Sequence, residues 1–255
     1  MSDPVNSTIL LLDIEKYSDR DDVEQSYLRR MLFDLTDHAL LAAGIEETLR
    51  RRADRGDSVM ELIDSNASLT ALLRTLLTVV PAELRARNRL ASSSARMRLR
   101  GVVATGYVAV DREDGWVGSD LNHACRLLDA EVLRQALRES PGDFVLCVSE
   151  PVYLGVVQHN HPGVAAEEFH AVTVDSKNGA LPARLHRPLS QAEASGTPDT
   201  RSPARDLPAD SAPRAAFDFG GATVNGGTFG GTNHGIGGGS FHGDIHLGGA
   251  LGERA

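Results

Sequence analysis

Apolar positions recur with two different periods along residues 1–188, and their alternation outlines a sheet with helices against it. Thr8–Asp13 (TILLLD) is an unbroken apolar run that starts on a β-branched residue and ends in a carboxylate, which predicts a short buried strand. From Asp21 to Ala43 the spacing changes. Val23, Tyr27, Met31, Leu35, Ala39 and Ala42 fall on one helical stripe, and Gly44 is placed to close it as a C-terminal cap. Glu46–Ile63 predicts a hairpin turning at Gly56-Asp57. Asn66–Val80 predicts a leucine-rich helix closed near Pro81. Arg98–Val110 predicts a long strand, Leu121–Leu137 a helix with its arginines outside, and Phe144–Ser149 a further strand. Val172–Val174 and Ala183–His186 carry weaker strand patterns. Strands alternating with helices, plus one hairpin, predict an α/β sandwich built on a mixed sheet flanked by helices.

The pattern then stops. Residues 189–215 set Pro198, Pro203, Pro208 and Pro213 among Ser, Ala, Asp and Arg, which predicts a disordered linker between a domain at 1–188 and a tail at 216–255. The tail holds 14 of the 25 glycines between Gly220 and Gly252, so the average composition hides two different materials.

Charge and cysteine content narrow the function classes. A net charge of −9 with only 5% aromatic residues argues against a nucleic-acid binder, which needs a basic face and rings to stack bases. No run reaches the roughly 18 apolar residues of a membrane span. Met1–Asp13 also lacks the basic-then-apolar pattern of a signal peptide. A cytoplasmic protein without membrane attachment is therefore expected. Two cysteines, Cys125 and Cys147, exclude a disulfide framework and are expected as small core residues. No GxxxxGK[ST] stretch occurs, which argues against a P-loop enzyme. The His159-Asn160-His161 turn is expected to be surface loop, as is the acidic stretch of Asp111, Glu113 and Asp114.

Three short pieces carry the chemistry. Asp13 ends the first strand in LLDIEKYS, Asp57 sits at the hairpin tip in DRGDSVM, and Asn122 and Arg126 stand four apart on one helix face in VGSDLNHACRLLDA. This order resembles the class III nucleotidyl cyclases, the adenylate and guanylate cyclase catalytic domains. Their pattern is a strand-end D-I-x-x-[FY]-[ST], a hairpin G-D, a long strand, then G-x-x-[VL]-N-x-A-x-R-L. The resemblance covers roughly residues 7–188 and implies a ferredoxin-like cyclase sandwich. It also implies conversion of a nucleoside triphosphate to a 3′,5′-cyclic nucleotide and pyrophosphate.

On this resemblance Asp13 and Asp57 are ligands of two Mg²⁺ or Mn²⁺ ions, with the backbone carbonyl of Ile14 assisting. That suits hard cations that take one or two carboxylates and keep several waters. Arg126 is implied as the fixed cation facing the transferring phosphoryl oxygens, and Asn122 as the group orienting the ribose. Lys177, one of only two lysines, falls where the family places a triphosphate-binding lysine. The family completes its site between two subunits, so a homodimer is implied. Two departures concern the base. The family's base-reading lysine position is Ala53 here and its aspartate position is Gly115, which leaves the base open. Asp54 and Asp114 lie one residue away from these positions.

Within the tail, TVNGGTFGGTNH (Thr223–His234) aligns with GIGGGSFHGDIH (Gly235–His246), with Phe229 matching Phe241 and His234 matching His246. Large apolar residues kept in register between glycines suit short β arcs that bury their faces by stacking with other copies. The pattern loosely resembles glycine-rich amyloid signalling motifs. That implies self-assembly, or recruitment of a partner protein, through residues 216–252. Two readings follow: an active cyclase with an assembly tail, or a catalytically inactive cyclase-fold adaptor whose tail carries the function.

Overall fold

Strand β1 (Val5–Ile14) is the spine of the domain, because every residue from Thr8 to Ile14 is buried and both of its faces are covered. Ile9 and Leu11 point into one core, while Leu10, Leu12 and Ile14 point into the other. The structure is a computed structural model describing residues 3–111, 113, 115–176, 179–187, 223–225 and 240–242. Those up to 187 belong to one unit, and the last two stretches to another.

The remaining elements follow as α1 (Asp22–Ala42), β2 (Arg50–Asp54), β3 (Ser58–Asp64), α2 (Leu69–Asn88), β4 (Leu99–Val110), β5 (Trp116–Val117), α3 (Ser119–Leu128), α4 (Glu131–Glu139), β6 (Phe144–Ser149), α5 (Glu150–Gly155), β7 (Phe169–Ser176) and β8 (Gly179–His186). The sheet runs β2-β3-β1-β4-β6-β8-β7, with β5 pairing β4. Among the described residues only β4 and β6 pair in parallel, so the sheet is mixed, as expected. Helices α1 and α2 cover one face and α3 and α4 the other.

Four sequence expectations change. On α1 the buried line is Leu28, Leu32, Leu35 and Ala39 in mixed steps of four and three, whereas Val23 is 79% exposed and Tyr27 43%. A stripe stepping by four from Val23 to Ala39 drifts about 40° per step around a 3.6-residue helix, so its first members leave the core.

 Helix α2 runs on through Pro81 to Asn88, because Leu84 is fully buried beyond the proline and Asn88 anchors the far end. The Asn88 side chain donates to the Met97 carbonyl at 2.7 Å and accepts the Met97 N–H at 2.9 Å. The helix expected over 121–137 is two helices, broken where Ala130 adopts an extended backbone. Each half then lays its own apolar residues on the twisted sheet, Leu121, Ala124 and Leu127 from α3 and Leu133, Ala136 and Leu137 from α4. The two weak strand patterns are the ends of one full hairpin, β7–β8.

Cys147 is buried and its thiol is pushed up to about 12 by desolvation, while Cys125 is half-buried. His159, Asn160 and His161 are exposed, as expected of a surface turn. In the second unit, β9 (Thr223–Asn225) pairs antiparallel with β10 (Ser240–His242), setting Val224 opposite Phe241. The other residues of the twelve-residue repeat, Phe229 among them, lie outside the described residues. No helix among the described residues is long and apolar enough to cross a membrane.

Candidate active site

Asp13 lies one residue before the end of β1. It lies in register with Ser58 of β3 on one side and Arg100 of β4 on the other, and it is 8% exposed. Asp57 sits in the turn between β2 and β3, where Gly56 takes φ +85°, a left-handed conformation that favours glycine. Asp54 shapes this turn by accepting the Gly56 N–H at 2.9 Å. The Ile14 N–H donates to the Asp57 carbonyl at 3.1 Å, so the strand end and the hairpin tip are tied through the backbone.

The hairpin is held from behind by a buried ionic network. Glu61 of β3 is fully buried and accepts from Arg50 and Arg52 of β2, which also bond Asp37 of α1. Burial raises the Glu61 carboxyl against the pull of Arg52 and Arg50. Partial burial also raises Asp37, but hydrogen bonds from Arg52 and Arg50 outweigh it and hold Asp37 below its usual value.

Desolvation pushes Asp13 up to about 6, although Arg100 pairs with it and pulls the other way. The neighbouring charges of Asp57 and Asp129 push it further up. Arg100 is the cation paired with Asp13 there. Among the described residues there is no cluster of three or more His, Cys, Asp or Glu side chains arranged to hold a metal. A site made by Asp13 and Asp57 is therefore a two-carboxylate site. That donor set fits Mg²⁺ or Mn²⁺, which complete their shells with water and phosphate oxygens.

Helix α3 is seated by close backbone contact with β4. The Asp120 carboxylate accepts the Tyr107 N–H at 2.9 Å. A Cβ at Gly106 would lie 2.2 Å from the Asp120 side chain, and one at Gly118 would lie 2.5 Å from the Tyr107 carbonyl. These glycines let the helix approach. Asn122 is exposed one turn in, and Arg126 follows on the same face, half-buried. Arg126 lines a groove of about 740 Å³ with Asp129, Glu131, Thr173 and Asp175. Its Nη1 is buried without a hydrogen-bond partner among the described residues.

The structure brings Asp13 and Asp57 together. It forms no hydrogen bond or ion pair between either aspartate and Asn122 or Arg126 among the described residues. Lys177 and Asp114 lie outside the described residues. Of Ile14 the structure shows the N–H engaged, with Asp57.

The two departures at the base-reading positions acquire physical reasons. Ala53 is half-buried against the core under α3, opposite Met60. At Gly115 a Cβ would meet the Asp111 carboxylate at 2.4 Å, and that carboxylate already accepts the Gly115 N–H at 2.6 Å. Asp54 is engaged with Arg29 and the turn. Sequence reasoning missed Arg100 and Asp129. Arg100 alternates with apolar residues on a strand, and only its register opposite Asp13 gives it meaning.

No family model matches the sequence, and no curated protein matches it. Among solved structures, the guanylyl cyclase Cya2 superposes with a TM-score of 0.51 at 14% identity, covering 74% of this chain and 95% of that one. A bacterial light-regulated adenylyl cyclase gives 0.50 at 17% identity, covering 72% and 90%. An adenylate/guanylate cyclase/hydrolase from Silicibacter pomeroyi gives 0.50 at 19% identity, covering 74% and 100%. The described domain has the fold of the class III cyclase domains.

Proposed function

We propose that this chain is a nucleotidyl cyclase that converts a nucleoside triphosphate to a 3′,5′-cyclic nucleotide and pyrophosphate. The observation that carries the reading is the convergence of Asp13 and Asp57, with Arg126 lining a groove on the same domain. In the reaction the ribose 3′-oxygen bonds to the α-phosphorus, the bond from that phosphorus to the bridging oxygen breaks, and the hydroxyl proton is lost as pyrophosphate leaves. Asp13 and Asp57 would hold the divalent cations. When bound, these supply Lewis acidity that lowers the pKa of the 3′-hydroxyl and neutralises the phosphates.

Arg126 offers a guanidinium that stays charged at all relevant pH and suits the oxygens on the reacting phosphorus. Asn122 is exposed one turn away and suits a ribose hydroxyl. Lys177 is proposed for the triphosphate. A homodimer in which each site takes its aspartates from one subunit and Asn122 and Arg126 from the other is proposed on the resemblance to the class III cyclases. Residues 216–252 are proposed to cluster the protein or recruit a partner, on the strength of their repeat.

The test is direct. Folded protein with Mn²⁺ and, in turn, ATP, GTP, CTP and UTP is expected to yield a cyclic nucleotide by mass spectrometry. No cyclic product from any of the four overturns the enzyme reading and leaves the inactive adaptor.

A further inference from the structure

We propose that Arg100 sets the divalent-cation affinity of the Asp13–Asp57 pair, by holding a permanent positive charge against a carboxylate that an arriving cation must share. The inference rests on the reading of these aspartates as cation ligands. Its own ground is the register of the sheet. Arg100 lies directly opposite Asp13 on the neighbouring strand, so the two side chains share a face by construction. Their contact is an ion pair in which both side chains are only 12% exposed.

The guanidinium is not free to leave. Its Nη1 donates to the Leu128 carbonyl at 3.4 Å, at the end of α3, and its Nε is buried without a partner among the described residues. A guanidinium cannot neutralise itself by losing a proton. Arg100 therefore acts in two opposed ways. It compensates a carboxylate that burial would otherwise penalise, and it repels a second cation approaching the same oxygens. At this degree of burial the repulsion is poorly screened by solvent and salt. Cation binding is then weakened relative to the same carboxylates without Arg100, and it becomes favourable where ligand phosphates bring further negative charge. Arg100 is a positioning residue that acts through Asp13.

The experiment uses Mn²⁺ alone, titrated into the full chain without nucleotide and followed by the electron paramagnetic resonance of free Mn²⁺. Arg100→Gln is expected to bind Mn²⁺ on the order of tenfold more tightly than wild type, because a fixed unit charge beside the ion is removed. Arg100→Lys keeps the charge and is expected to stay within about twofold of wild type. A residue that merely holds Asp13 in place would give the opposite result. Equal or weaker Mn²⁺ binding by Arg100→Gln therefore overturns the proposal. Asp57→Asn separates this failure from that of the underlying reading. If wild-type binding persists undiminished in Asp57→Asn, or no variant binds Mn²⁺, the aspartates are not the ligands and both readings fall. Should Arg100→Gln not fold, the Nε–H resonance of Arg100, assigned by its absence from Arg100→Lys, decides. It is expected to shift when Mg²⁺ is added, and an unmoved resonance overturns the proposal.

Discussion

The N–H of Ile14 donates to the carbonyl of Asp57 at 3.1 Å, so Asp57 is tied through the backbone to the residue that follows Asp13, an aspartate 44 positions earlier in sequence. This bond places Asp57 beside the end of β1 and leaves its carboxylate exposed, while Asp13 on the same strand is almost covered. Two carboxylates in such different surroundings have different tasks in stability and, under the proposed function, a shared one in cation binding.

Replacing Asp57 by Asn is expected to leave folding untouched, because its side chain is exposed, and to lower cyclic nucleotide formation by about 10²-fold or more. Arg126→Ala is expected to lose a similar factor. Mixing the two inactive proteins tests the homodimer. A heterodimer regains one site with both aspartates and the Asn–Arg pair intact, so activity is expected to return in the mixture. Silence of the mixture, with heterodimers present, argues that each chain works alone.

Gly106→Ala is expected to destabilise the domain by about 1–3 kcal/mol, since its Cβ would sit 2.2 Å from the Asp120 side chain that fixes α3. Urea unfolding checks this. The same change is expected to lower activity beyond any loss of folded protein, because α3 carries both Asn122 and Arg126.

His186 provides a pH signature. Burial lowers its pKa below the ordinary 6.5, only partly offset by Glu168, which lies 3.1 Å away. The unfolded chain therefore takes up this proton first as pH falls. The contribution of His186 is fully present above about 6.5 and is lost as pH drops from there through the lower folded value. His186→Gln is expected to flatten the stability–pH curve below 6.5, read from thermal midpoints between pH 5 and 7.5. An unchanged slope removes His186 as its source.

For the tail, the full chain is expected to form thioflavin-positive assemblies on concentration, and Phe229→Ser with Phe241→Ser is expected to prevent them. Assemblies that persist in the double variant, or a wild type that stays dispersed, count against the repeat as an assembly element.

Much of the domain was legible in one dimension. The apolar run around Leu10, the helix start at Asp21 and the turn at Gly56-Asp57 are local events, set by side-chain periodicity, capping and glycine's access to positive φ, and each stands where the sequence placed it. The spacing that puts Asn122 and Arg126 on one helix face is local too. The tertiary structure alone decided which line of α1 faces the core, that α2 survives Pro81, and that the chain breaks at Ala130. It also decided that Arg100 lies opposite Asp13 and that Asp111 closes off Gly115. The reason is physical. Periodicity records the dihedral repeat of a segment, whereas strand register, burial and charge pairing are settled by residues far away in sequence, and Asp13 takes its electrostatic character from these partners rather than from its own stretch of chain.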